Sequence, residues 1–164
     1  MTDTAPKPKP IPLPLRRKSS ARMAAAQLLY RLAVTGEPFN PEKLYTNYVS
    51  ELEEGVASED KEVTLNPLPD LEHLKLLLHG IHVDLERIDA VIDRHLLSNW
   101  SRERTSPLLI AIFRAAIYEL MHQPKLSTGV LLNEYTTLAA GFFNDPELGF
   151  ANAFLQAAAK DVRK

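Results

Sequence analysis

Residues 105–124 read TSPLLIAIFRAAIYELMHQP, and this stretch decides the fold class. Thr105-Ser106-Pro107 predicts a helix start, because serine can cap free backbone N–H groups and proline is tolerated in a first helical turn. From residue 108 to residue 121 only Arg114 and Glu119 are charged, so the helix is apolar on nearly every face. A helix of this kind is predicted to lie in the middle of a bundle.

Helical patterns flank this central stretch on both sides. Further helix starts are predicted at four places, which are Asn40-Pro41-Glu42, Asp70, Ser127 and Asp145-Pro146-Glu147. Gly36 is predicted to end the first helix. No run of alternating β-branched residues suggests a strand, and the chain is therefore predicted to be all-α.

Two segments are predicted to lack regular structure. Residues 1–18 carry prolines at alternate positions from Pro6 to Pro14, which favours a flexible, basic, extended arm. Order is expected to begin near Ser19 or Ser20, so that the helical domain covers residues 19–164. The polar stretch 53–69, which contains Gly55 and two prolines, is predicted to be a mobile loop.

Charge is divided unevenly along the chain. Residues 1–35 carry seven Lys or Arg and one Asp, a net charge of +6, whereas the whole chain has a net charge of −2. A basic N-terminal region on an acidic body favours a polyanionic partner such as a nucleic acid. The alternative is a tail that only increases solubility.

Most catalytic and metal chemistry is excluded or unsupported. The chain has no cysteine, which removes disulfides, thiolate metal sites and thiol nucleophiles, and it has no glycine-rich phosphate loop or hydrolase motif. His79, His82 and Glu86 have a spacing that can hold a metal, but a polar helix face is the better interpretation. The longest uncharged stretch is too short to span a bilayer, and a cytoplasmic location is expected.

Four motifs follow one another along the chain. They are Arg22-Met23-Ala24-Ala25-Ala26-Gln27-Leu28-Leu29-Tyr30, Ile112-Phe113-Arg114-Ala115-Ala116-Ile117-Tyr118-Glu119-Leu120, Asn133-Glu134 and Phe150-Ala151-Asn152-Ala153-Phe154-Leu155. In this order they resemble the NusB family of transcription antitermination factors. The resemblance covers roughly residues 16–160. Three departures stand out, because Ser19 and Ser20 interrupt the family's Arg run, Ala139-Ala140 lacks a cation, and Ala153 replaces a glycine.

This resemblance implies an all-α domain made of two packed three- to four-helix bundles, without enzymatic activity, metal or cofactor. It also implies a heterodimer with the small-subunit ribosomal protein NusE, which binds single-stranded boxA-type RNA and helps the transcription elongation complex resist termination on ribosomal RNA operons. The sequence leaves open whether the chain forms a homodimer when that partner is absent.

Candidate site residues follow from charge and from the resemblance. The RNA contacts predicted are Arg16, Arg17, Lys18, Arg22, Phe142 and Phe150, the cations for phosphates and the phenylalanines for base stacking. Residues predicted to make structural pairs in the core are Arg114, Glu119, Asn133 and Glu134, with an Arg114–Glu134 contact joining two helices. Trp100, beside Arg102 and Arg104, suits either an interface or a seam of the core.

Two other functions compete with RNA-binding antitermination. The chain could be the targeting domain of a NusB-like RNA methyltransferase, although it lacks a nucleotide-binding turn and a cysteine nucleophile. It could also be a helical protein–protein module in which the basic arm is only a tail.

Overall fold

The computed structural model describes residues 10–57, 67–96 and 101–163, and these residues form seven α-helices and no strand. The helices are α1 (Leu13–Thr35), α2 (Pro41–Ala57), α3 (Leu71–Val83), α4 (Leu85–His95), α5 (Pro107–His122), α6 (Thr128–Ala140) and α7 (Glu147–Val162). A short 3₁₀ helix, Arg102–Arg104, precedes α5. The prediction of an all-α chain is confirmed.

Local capping chemistry sets most helix starts where the sequence predicts them. Side-chain oxygens of Asn40, Asp70, Ser106 and Ser127 accept hydrogen bonds from the backbone N–H three residues ahead, at 3.0–3.5 Å. Gly36 ends α1 with a φ of 75°, the left-handed conformation that glycine adopts without strain.

Helix α5 is the shared centre of the two predicted bundles. It packs against α1, α3, α4, α6 and α7, while α2 covers α3. Every residue from Leu109 to Leu120 except Arg114 is buried, and the core is one continuous apolar cluster. Burial on all faces explains why this helix needs so few polar residues.

The first helix begins earlier than predicted. It starts at Leu13, so residues 13–18 are helical and their assignment to a flexible arm is wrong. Pro12 and Pro14 fall before and within the first turn, where a helix does not need their N–H groups, and the carbonyl of Pro12 accepts from the N–H groups of Leu15 and Arg16 at 3.1 and 3.2 Å.

The first residues of the predicted loop 53–69 are helical. Helix α2 continues through residues 53–57, and residues 67–70 lead into α3 with Pro69 buried. Residues 58–66 lie outside the described residues, as does Trp100. None of the helices in the described part of the chain has the length and apolar character needed to cross a bilayer.

Candidate nucleic-acid interface on the first helix

The start of α1 presents cations to solvent. Arg16 and Arg17 are exposed, Lys18 is partly exposed, and the first turn of α1 contains no acidic residue. The N-terminus of a helix carries a partial positive charge from its unpaired N–H groups, so cations near it add to an already positive field. This surface, defined by Arg16, Arg17 and Lys18 and called the α1 basic surface below, is suited to bind phosphate.

The segment before α3 holds the α1 basic surface in place. Arg17 Nε donates to the carbonyl of Leu68 at 3.3 Å, and the N–H of Asp70 donates to the carbonyl of Arg17 at 2.9 Å. Asp70 also caps α3 through its side chain. The cations are therefore carried by a helix attached to α3 and not by a free arm.

Arg22 lies in the core and is not available to a phosphate, which corrects its prediction as an RNA contact. It is 4% exposed, and its Nε and Nη2 donate to the Glu119 carboxylate at 2.7 and 3.0 Å. Arg22 falls on the buried face of α1 together with Ala21 and Ala25, which places its guanidinium against α5. A buried charge needs such a partner, and the bidentate geometry provides it.

The Glu119 carboxylate collects contacts from three other helices. In addition to Arg22 on α1, His73 Nε2 on α3 lies 3.0 Å away and the hydroxyl of Tyr135 on α6 donates to it. Burial would raise the pKa of Glu119, but the hydrogen bonds from His73 and Arg22 outweigh burial and lower that pKa to about 2. Glu119 is therefore a buried acid whose basic partner is Arg22 on α1.

The negative charge of Glu119 also acts on its partners. Burial tends to lower the pKa of Arg22, but the hydrogen bond and charge of Glu119 raise it overall. Burial raises the pKa of Tyr135 well above its usual value, and the charge of Glu119 adds to that effect. The ionised Arg22–Glu119 pair and a neutral Tyr135 are therefore the stable protonation states near neutral pH.

The predicted Arg114–Glu134 contact is wrong. Arg114 instead donates two hydrogen bonds to Asp89 on α4, at 2.9 and 3.1 Å. Glu134 on α6 faces α1, where it accepts from the Ser19 hydroxyl at 2.8 Å and lies 3.7 Å from Arg22 Nη1. Asn133 is exposed and so does not contribute a core pair.

The two candidate stacking residues differ in exposure. Phe142 follows the end of α6 and is 41% exposed, which leaves its ring open to a base. Phe150 is partly buried, with its ring centroid 6.1 Å from that of Phe113 and 6.4 Å from that of Phe154. The exposed ring of Phe142 therefore fits a stacking role better than the packed ring of Phe150.

Sequence reasoning missed two polar clusters that position the helices. Asp89 is buried and accepts from Arg102 at 2.9 Å as well as from Arg114, which fixes the 3₁₀ helix to α4 and α5. Arg163, after α7, donates to the carbonyls of Leu120 and Gln123 at 2.8 Å and of Leu126 at 2.6 Å. The partners are distant in sequence, and the sequence carries no signal for the backbone carbonyls that bind Arg163.

His79 and His82 make contacts that suit a polar helix face. His79 Nε2 lies 3.1 Å from a Glu42 carboxylate oxygen, and the ring of His82 packs edge-on against Phe39 with centroids 5.0 Å apart. Within the described ranges, no group of three or more His, Asp or Glu residues is arranged to hold a metal.

Comparisons with known proteins agree on one family. The model of the NusB family matches residues 19–160. The chain is 31% identical to the transcription antitermination protein NusB of Rhodospirillum rubrum, covering 90% of this chain and 85% of that protein. It is 34% identical to the protein of the same name from Caulobacter vibrioides, covering 89% and 94%.

A solved structure supports the fold. A crystal structure described as antitermination factors NusB and NusE in complex with double-stranded RNA contains a chain that superimposes with a TM-score of 0.68 at 24% identity. The superposition covers 90% of this chain and 98% of the other.

Proposed function

The chain belongs to the NusB family, and from that membership we propose that it is an RNA-binding transcription antitermination factor. It acts with the small-subunit ribosomal protein NusE, binds single-stranded boxA-type RNA, and promotes processive transcription of ribosomal RNA operons in the cytoplasm. The family is not enzymatic. The solved complex of NusB, NusE and double-stranded RNA supports NusE and RNA as the kinds of partner.

The observation that carries this proposal is the α1 basic surface. Three cations lie near the positive end of a long helix whose first turn contains no acidic residue. The cations repel one another and the partial positive charge of the helix end, and a bound phosphate would neutralise this positive charge. Arg16, Arg17 and Lys18 neutralise RNA phosphates, and Phe142 stacks on an unpaired base. Arg22 acts from the core, as the partner of Glu119.

A second surface of α1 suits the protein partner. Met23, Tyr30 and Val34 lie along one exposed side of α1 at helical spacing and are 38%, 40% and 61% exposed. Exposed apolar side chains aligned on one helix are typical of a protein-docking surface. This feature also fits a helical protein–protein module without RNA binding, so the RNA experiment has to separate the two functions.

The experiment is an electrophoretic titration of a ribosomal RNA leader that contains a boxA-type element, with and without purified NusE. We expect the pair to bind the leader much more tightly than either protein alone, and we expect a leader with a scrambled element to bind weakly. Binding of NusE without any binding of RNA would support the protein–protein module instead. Methyl transfer to the RNA from a labelled donor is not expected.

A further inference from the structure

The α1 basic surface is fixed to the rest of the molecule at two points, one on each side of Lys18. The first is Arg17, whose backbone carbonyl and side chain bond the segment that enters α3. The second is Arg22, whose guanidinium is held in the core by Glu119. They are five positions apart along the helix, a rise of about 7.5 Å.

The second point depends on one carboxylate. Glu119 is fully buried, and its two oxygens are shared by Arg22 from α1, His73 from α3 and Tyr135 from α6. Arg22 therefore cannot shift along or around the axis of α1 without losing a bidentate bond, and the cations one to two turns earlier move with it. The same carboxylate ties α6, which ends just before Phe142, to this arrangement.

We propose that Glu119 is a positioning residue of the RNA site, which sets the rotation and axial placement of the α1 basic surface relative to α6 and Phe142. The proposal rests on the proposed function, because it assumes that RNA binds there. Glu119 does not touch RNA, since it is fully buried. It acts through Arg22 on one side and Tyr135 on the other.

Asp89 offers a matched control in the other half of the molecule. It is also a buried carboxylate, and it accepts from Arg114 and Arg102. Its arginine partners lie on α5 and on the 3₁₀ helix and not on α1. Glu119→Gln and Asp89→Asn each remove one buried negative charge. The first variant leaves Arg22 without its charged partner, and the second does the same to Arg114 and Arg102.

The test measures the affinity of a single-stranded boxA-type oligoribonucleotide for wild type, Glu119→Gln and Asp89→Asn, each paired with NusE at a temperature where circular dichroism shows full folding. We expect Glu119→Gln to weaken binding roughly tenfold and Asp89→Asn to change it less than about twofold. The salt slope of binding should fall in Glu119→Gln, because its displaced cations neutralise fewer phosphates, and should keep the wild-type value in Asp89→Asn. Amide hydrogen exchange should be faster at residues 17–22 only in Glu119→Gln.

Equal affinity of Glu119→Gln and wild type would overturn the proposal, as would an equal loss in both variants. A wild-type salt slope in Glu119→Gln would also overturn it, because the cations would then still neutralise the same phosphates. If Glu119→Gln does not fold, Tyr135→Phe and His73→Gln each remove one bond to the carboxylate and should weaken binding while Asp89→Asn does not. A wild-type pair that fails to bind RNA would overturn the proposed function itself.

Discussion

The ring of Tyr118 on α5 lies directly over the backbone of Gly80 on α3, and a Cβ atom built at residue 80 would overlap that ring. The absence of a side chain at this position is what lets the two helices approach so closely. Glycine within a helix normally lowers stability relative to alanine by about 1 kcal/mol, so this one is kept for packing.

Gly80→Ala is therefore expected to lower the free energy of unfolding by about 1–3 kcal/mol, because the new methyl group pushes Tyr118 out of its position. Urea denaturation measures the change. Gly129→Ala in α6 is the control, since a Cβ there meets nothing within 4 Å and should leave stability unchanged or slightly raise it. Equal changes in the free energy of unfolding for the two variants would contradict the close approach of Tyr118 to Gly80.

Acid should weaken the fold through Glu119. The pKa of this carboxyl is about 2 in the folded chain against 4.5 for the free group, so the unfolded chain takes up the proton first as pH falls. The stabilisation is complete above about pH 5 and is lost as pH falls from 4.5 toward 2, a difference of about 3 kcal/mol. We expect the stability gap between wild type and Glu119→Gln, measured by urea denaturation, to narrow between pH 6 and pH 3. A gap independent of pH would contradict the ionised, hydrogen-bonded carboxylate.

Arg163 should stabilise the turn between α5 and α6. Its guanidinium donates to the carbonyls of Leu120, Gln123 and Leu126, which lie in the last turn of α5 and in the segment that leads to α6. Arg163→Ala is expected to lower the melting temperature, with a loss of about 1–3 kcal/mol in stability. Lys160→Ala, an exposed cation one turn earlier, should change stability by less than about 0.5 kcal/mol. Similar effects of the two substitutions would mean that charge near the helix end is what matters.

Substitutions of Phe142 and of Phe150 should have different effects, the first on RNA affinity and the second on stability. Phe142→Ala is expected to leave stability nearly unchanged and to weaken RNA binding by about 1–3 kcal/mol, because an exposed stacking platform is removed. Phe150→Ala is expected to lower stability by about 2–4 kcal/mol, because its ring packs against Phe113 and Phe154. Calorimetry and RNA titration on the same samples check both. The reverse pattern would assign the stacking role to Phe150.

The features that the sequence predicts well are those that depend on nearby residues. Asn40, Asp70 and Ser127 cap N–H groups only three residues away, and each begins a helix as expected. The central position of α5 also follows from the sequence alone, because a helix with only two charged residues in fourteen must be covered on all sides.

The features that it predicts poorly depend on contacts between distant residues. Arg22 looks like the last member of a basic run, but its partner Glu119 is 97 positions away and converts it into a core residue. A signal was present, since an acid on an apolar helix needs a buried base. Charge alone does not show which arginine supplies that base. For the same reason, the sequence does not show that Arg114 pairs with Asp89 and not with Glu134.

The central claim is that Arg16, Arg17 and Lys18 meet RNA phosphates while the folded helix holds them. The most direct measurement is the salt dependence of boxA-type RNA binding by the NusE pair, for wild type and for the triple variant Arg16→Gln, Arg17→Gln, Lys18→Gln. We predict that the triple variant binds more weakly. The slope of log K against log salt should become shallower by about 2, near 0.7 for each lost phosphate contact. An unchanged affinity and slope would contradict the account.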